Sequence, residues 1–205
     1  MTDAVSSPCA CSPDPERRGW LLATAAAGGF AATVTAVPFV ASFAPSERAR
    51  AQGAAVEVDI GDLAPGELRT VEWRGKPVWI QRRTPAMLAA LEGADARLAD
   101  PASERDGLPP ALRNPGRSLR PDLFVAVGIC THLGCSPTPL PAGTANPSVD
   151  AGWQGGFFCP CHGSTFDLAG RVFKNVPAPD NLQVPRHMYV SDTRIVIGKD
   201  EKGEA

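Results

Sequence analysis

The 28 residues from Gly19 to Ser46 contain no Asp, Glu, Lys or Arg. In a chain of 205 residues with 20 basic and 22 acidic side chains, that gap constrains the architecture first. Within it, Trp20 to Ala44 reads WLLATAAAGGFAATVTAVPFVASFA, 25 residues. As a helix this would extend about 37 Å, against roughly 30 Å of bilayer hydrocarbon. The stretch predicts one tilted membrane crossing, kinked at Pro38, with Trp20 and Phe43 as interfacial anchors. A cleavable signal peptide is the competing reading, because Ser42-Phe43-Ala44 offers small residues at a cleavage spacing. Two features oppose it: the run outlasts a typical signal core of roughly 7 to 15 residues, and Pro45 would follow the scissile bond. Arg17 and Arg18 on one flank are matched by Arg48 and Arg50 on the other, so charge alone does not orient the span.

About 150 residues remain beyond the span, enough for one modest domain. The net charge of −2 argues against a nucleic-acid partner. Residues 1–19, with Cys9 and Cys11 among Ser-Pro and Asp-Pro turn signals, read as a short tail, and those two cysteines as free thiols. Residues 45–55 mix small and polar side chains without an apolar stripe and read as a flexible hinge. From residue 56 to 205 the chain is a head. Short β-branched and aromatic runs at Val56-Ile60, Leu68-Trp73, Pro77-Gln81, Leu123-Val127, Gly156-Cys159, Arg171-Asn175, Met188-Val190 and Arg194-Ile197 predict strands. Thr84, followed by Pro85, predicts the start of a short helix through Leu91. The segment 100–121, rich in Pro, Arg and Gly, reads as a surface excursion. The class is mainly β: an antiparallel head on a single N-terminal transmembrane helix.

Six cysteines need an explanation. Four stand in two clusters, Cys130-Thr131-His132-Leu133-Gly134-Cys135 and Cys159-Pro160-Cys161-His162-Gly163-Ser164. Cys130 and His132, and Cys159 and His162, are spaced so that two tight loops can each aim a thiolate and an imidazole at a shared centre. A single zinc ion held by that Cys2His2 set, in a binding module without redox chemistry, is the bland alternative. The further cysteine in each loop and the membrane anchor weigh against it. A disulfide between Cys135 and Cys161 would lock the two loops together and, closing 25 intervening residues, would stabilise the fold by roughly 3 to 4 kcal/mol. Such a bond would place the head in an oxidising compartment.

At these two boxes, CTHLGC and CPCHGSTFD, the sequence resembles the Rieske [2Fe-2S] proteins of cytochrome bc1 complexes, and Val176-Pro177-Ala178-Pro179 with Asn181-Leu182 resembles the proline loop of that family. The order of anchor, linker and β head is similar over most of the chain. The resemblance implies an antiparallel β-sandwich with a small cluster-binding subdomain at about 128–182. It implies one [2Fe-2S] cluster, with Cys130 and Cys159 on one iron and His132 and His162 on the other. Neutral imidazoles in place of two thiolates move such centres to about −150 to +300 mV.

By the same resemblance, His162 would hydrogen-bond a quinol and take its proton while the cluster takes an electron. Leu133, Pro177 and Pro179 would line the docking surface, and Ser164 would donate to a bridging sulfide. Phe166 stands where high-potential members carry a tyrosine, which predicts a lower potential here. Cytochrome b and cytochrome c1 are the implied partners, with the head swinging on the 45–55 hinge between them. Arg17-Arg18 before a weakly hydrophobic span resembles a twin-arginine export signal. With the disulfide argument, it implies a single-pass protein of a bacterial inner membrane, N-terminus cytoplasmic and head periplasmic. The rival within redox chemistry is the Rieske subunit of arsenite oxidase; a soluble Rieske ferredoxin lacks counterparts of Cys135 and Cys161. His187, without a nearby cysteine, reads as a packing or surface residue, and Asn146-Pro147-Ser148 is excluded as a glycosylation site by its proline.

Overall fold

Asp14 starts the first helix. In the computed structural model, which describes residues 14–47, 53–146, 148–149 and 152–203, its carboxylate accepts the Glu16 N–H at 3.0 Å, and Pro15 takes the first helical position, where its missing N–H costs nothing. Helix α1 therefore spans Pro15–Ala41, starting five residues before the apolar run predicts and carrying Arg17 and Arg18. Its 27 residues correspond to about 40 Å, and it is long and apolar enough to cross a membrane. Thr24, Thr33 and Thr35 donate their hydroxyl protons to the carbonyls of Trp20, Gly29 and Ala31, so these polar groups are satisfied within the helix. Pro38 falls in the last turn. Cys9, Cys11, Arg48 and Arg50 lie outside the described residues.

The chain divides into two units, residues 1–50 and 51–205. The second carries strands β1 (Val56–Asp59), β2 (Leu68–Trp73), β3 (Lys76–Arg82), β4 (Leu123–Val127), β5 (Thr138–Leu140), β6 (Gly156–Phe158), β7 (Thr165–Phe166), β8 (His187–Ser191) and β9 (Arg194–Ile197), with helix α2 at Pro85–Ala89. They form three antiparallel three-stranded sheets, ordered β1-β9-β8, β2-β3-β4 and β5-β6-β7. Arg74 and Gly75, both at positive φ, close the β2–β3 hairpin by the two-residue turn that suits strand twist.

The middle sheet explains the plan. Every residue of β4 is buried, and its alternation serves two cores. Leu123, Val125 and Val127 pack with Val78 and Ile80 of β3 against Val58, Ile195 and Ile197 of the β1-β9-β8 sheet, the base sheet. Phe124 and Ala126 face the other way, with Trp79, into a core containing Phe157, Phe166, Leu182, Cys130 and Cys159. The sandwich thus delivers the two cysteine boxes on a rigid support.

Several expectations need correction. Segment 100–121 is not a surface excursion: Leu108 and Leu112 join the second core, and Arg117 is fully buried. Its guanidinium donates to the carbonyls of Ala169, Gly170 and Leu182 and pairs with Asp106. Arg171–Asn175 is not a strand; only Val172 and Phe173 make single bridges, because Arg171 turns inward to Asp167 and the chain then enters the proline loop. Strands β5 and β7 are too short, at three and two residues, to show a period. Helix α2 starts where expected, with Thr84 Oγ1 accepting the Met87 N–H at 3.2 Å, and ends two residues before Leu91. His187 is buried, its Nδ1 2.8 Å from the Pro185 carbonyl.

Candidate metal centre

Strand β4 leads into the first box and strand β6 into the second, and the two loops fold alike. Cys130 N–H donates to the Cys135 carbonyl at 2.7 Å and Gly134 N–H to the Cys130 carbonyl at 3.1 Å. In the second loop Cys159 N–H donates to the Ser164 carbonyl at 2.8 Å and Gly163 N–H to the Cys159 carbonyl at 3.0 Å. Each turn passes through a left-handed glycine, Gly134 at φ 83° and Gly163 at φ 76°, where a Cβ would be strained.

These twin loops bring the predicted donors together. Cys130 and Cys159 are free thiols, each only 2% exposed, and both belong to the same buried core. The rings of His132 and His162 meet edge to face with centroids 4.8 Å apart. His132 is half-buried and His162 exposed. Cys135 and Cys161 form a disulfide, with Cα atoms 6.7 Å apart. The Cys159 sulfur lies within 4.8 Å of both disulfide sulfurs. That trio is no metal site, because disulfide sulfur is not a thiolate.

Burial pushes the Cys130 thiol above its ordinary range; the backbone N–H of His132 opposes this, Cys159 adds to it, and the Ser164 hydroxyl favours the thiolate.

The proline loop closes over the second box. Ala178 N–H donates to Ser164 Oγ at 3.0 Å, both residues being buried, and Thr131 Oγ1 donates to the Asp180 carbonyl at 2.6 Å. Pro177 and Pro179 are exposed. Leu133 projects from the first loop 72% exposed, an unusual place for a leucine. Phe166 is fully buried among the second core and offers no hydroxyl to the sulfurs nearby.

What residue spacing did not reveal is the polar frame behind the loops. Asn181 Oδ1 accepts the Val172 N–H, while its Nδ2 donates to the Asp100 carbonyl, Ser103 Oγ and Asp106. Arg171 donates to Asp167, Asp95 and the Leu91 carbonyl. Arg83 donates to the carbonyls of Gly116, Pro121 and Leu168 and lies over the Phe124 ring. Burial, partly opposed by Asp167, lowers its pKa to about 10. A buried arginine and a surface arginine look the same in a sequence.

With Cys135 and Cys161 consumed by the disulfide, two thiols and two imidazoles are what the boxes can still offer a metal. That donor set fits a [2Fe-2S] centre with two Cys and two His, and does not fit a four-thiolate one. A Rieske [2Fe-2S] domain model matches residues 116–186. A protein of Allochromatium vinosum named ubiquinol-cytochrome c reductase iron-sulfur subunit is 56% identical over 184 residues, covering 90% of this chain and 88% of that protein. The chain belongs to this iron–sulfur subunit family. A Rhodospirillum rubrum protein of the same name is 37% identical, over 97% of this chain and all of its own length. A chain of a solved structure titled "Hyperthermophilic respiratory Complex III" is 26% identical, with a TM-score of 0.44, over 85% of this chain and 96% of that one. As a Rieske iron–sulfur subunit, the protein has a [2Fe-2S] cluster as its cofactor, and the zinc-stapled module is set aside.

Proposed function

We propose that this subunit takes an electron and a proton from a quinol and passes the electron to a c-type cytochrome, as the redox subunit of a quinol–cytochrome c reductase. The observation that carries the proposal is the asymmetry of the donor set: two buried thiols, one half-buried imidazole, His132, and one exposed imidazole, His162, with the rings in contact and Leu133, next to His132 in the chain, also exposed. Relatives named ubiquinol-cytochrome c reductase iron-sulfur subunit support it over the arsenite-oxidase reading.

Cys130 and Cys159 hold one iron in this proposal, His132 and His162 the other. The cluster, when bound, supplies a one-electron acceptor whose potential two neutral ligands raise. The exposed His162 ring accepts a hydrogen bond from the quinol hydroxyl and then its proton, so proton and electron leave the quinol together. Leu133, Pro177 and Pro179, all exposed, supply in this proposal the apolar docking surface that excludes water when the quinol site closes on the head. Ser164 directs its hydroxyl toward sulfur, and the disulfide keeps the two loops in register.

The assembly contains cytochrome b, which holds the quinol, and cytochrome c1, which receives the electron. Residues 20–44, most of them in α1, anchor the protein in a bacterial inner membrane, with residues 1–19 cytoplasmic. Residues 45–55 are the hinge on which the head, 56–205, reaches both partners, its cluster-binding part being about 128–182. A disulfide favours the periplasmic side for the head. Quinol-driven cytochrome c reduction by membranes containing the full chain tests the proposal. His162→Gln abolishes turnover while the protein remains in the membrane; turnover that continued would overturn it.

A further inference from the structure

Between Val176 and Asp180 the proline loop has a single backbone N–H, that of Ala178, because Pro177 and Pro179 have none. It is used on Ser164 Oγ, 3.0 Å away, at a fully buried serine. A serine hydroxyl carries one hydrogen and two acceptor lone pairs. With the Ala178 N–H on a lone pair, the hydrogen is directed elsewhere, toward the sulfur side of the site. The direction of this hydrogen therefore depends on where the proline loop sits.

The next residue in that loop is held from outside the boxes. Arg105, on the segment first read as a surface excursion, donates from Nη1 to the Pro179 carbonyl at 3.2 Å and from Nη2 to the Ala99 carbonyl at 2.7 Å. The Asp180 carboxylate is 4.0 Å from the same guanidinium, whose side chain is 52% exposed. The rigid fork of arginine suits this bridge, since two carbonyls from separate segments are fixed by one planar group.

We infer that Arg105 is a positioning residue for the redox centre: by tying the Pro179 carbonyl to the Ala99 carbonyl it fixes the proline loop so that the Ala178 N–H orients the Ser164 hydroxyl toward cluster sulfur. Hydrogen bonds to cluster sulfur raise the potential. Loosening the loop weakens that bond and lowers the potential without touching a ligand. The inference rests on the proposed role of Ser164 toward the cluster.

A double-mutant cycle read as midpoint potential, by EPR titration of the full chain in membranes, tests it. Ser164→Ala lowers the potential. Arg105→Ala lowers it by a part of that shift, and in the Ser164→Ala background it changes nothing. Arg105→Gln, which supplies a shorter amide donor that falls short of Pro179, shifts the potential in the same direction as Arg105→Ala and guards against a folding defect in the first variant. A lost positive charge acts whether or not the serine is present, so equal shifts in both backgrounds overturn the inference, as does no shift at all in either Arg105 variant. If Ser164→Ala itself leaves the potential unmoved, the proposed role of Ser164 fails, and the inference falls with it.

Discussion

On one face of β4, Leu123, Val125 and Val127 meet Val58, Ile195 and Ile197 in an apolar layer shared by two sheets. On the other face Phe124 and Ala126 meet the phenylalanines and cysteines of the site half, and around that layer Arg83, Arg117 and Arg171 are buried with Asp167 and Asn181. The base core is held by pattern: alternating side chains, each contributing about 1.5 to 3 kcal/mol on full burial. The site half is built from loops whose carbonyls would be orphaned inside the protein, and guanidiniums, an amide and a disulfide satisfy or tie them. A surface that must present ligands cannot also present a regular sheet, so it is framed by polar staples.

That contrast makes the site half the brittle one. Arg171→Met leaves the buried Asp167 carboxylate without its guanidinium partner and should cost about 3 to 5 kcal/mol. By comparison, Ile195→Val in the base core should cost about 0.5 to 1.5 kcal/mol. Denaturant unfolding of the two variants gives the ratio directly, and equal losses would erase the distinction between the cores. Next in size, Cys135→Ser with Cys161→Ser removes about 3 to 4 kcal/mol of loop-closure stabilisation. Hydrogen exchange should then rise in residues 130–135 and 159–164 while β3, β4 and β9 stay protected.

A smaller effect distinguishes the base sheet. Burial lowers the His187 pKa from its ordinary value, with the Pro185 carbonyl opposing. The folded chain therefore keeps this ring neutral where the unfolded chain binds a proton. Its contribution is fully present above about pH 6.5 and is lost as pH falls from there toward the lowered folded value. His187→Phe should flatten that part of the stability–pH curve; a slope identical to the parent's would show that another group carries it. The smallest change is electronic: Phe166→Tyr should raise the midpoint potential with little change in stability, provided the new hydroxyl reaches a sulfur ligand. A potential that stays put would remove Phe166 as the cause of any lowered value.

How much of this was legible in the sequence follows the same division. Strands β2, β4 and β9 match their predicted bounds because short runs rich in β-branched and aromatic residues, closed off by turn residues, mark them locally. The two boxes were legible as a pair because residue type and spacing mark them together, and the structure sets the His132 and His162 rings edge to face, joins Cys135 to Cys161 and buries Cys130 and Cys159 in one core. The frame was not legible. Arg117 and Arg171 reveal their burial only through carbonyls 50 to 80 positions away, and segment 100–121 has the composition of a surface. Strand β7 is two residues long and exists because it pairs with β6, not because of its own propensity. At the start of α1, Ser12-Pro13-Asp14-Pro15 carries turn and helix-cap signals at once, and the apolar run that follows decides for the helix.

The central claim, that the twin loops hold a quinol-oxidising [2Fe-2S] centre, is tested most directly by an EPR-monitored redox titration of the full chain in its membrane across a range of pH. The account predicts an anisotropic [2Fe-2S] signal with a positive midpoint that falls as pH rises, as proton uptake coupled to reduction requires. A colourless, EPR-silent protein with zinc bound at Cys130 and Cys159, or a midpoint near the −400 mV of four-thiolate clusters, would contradict it.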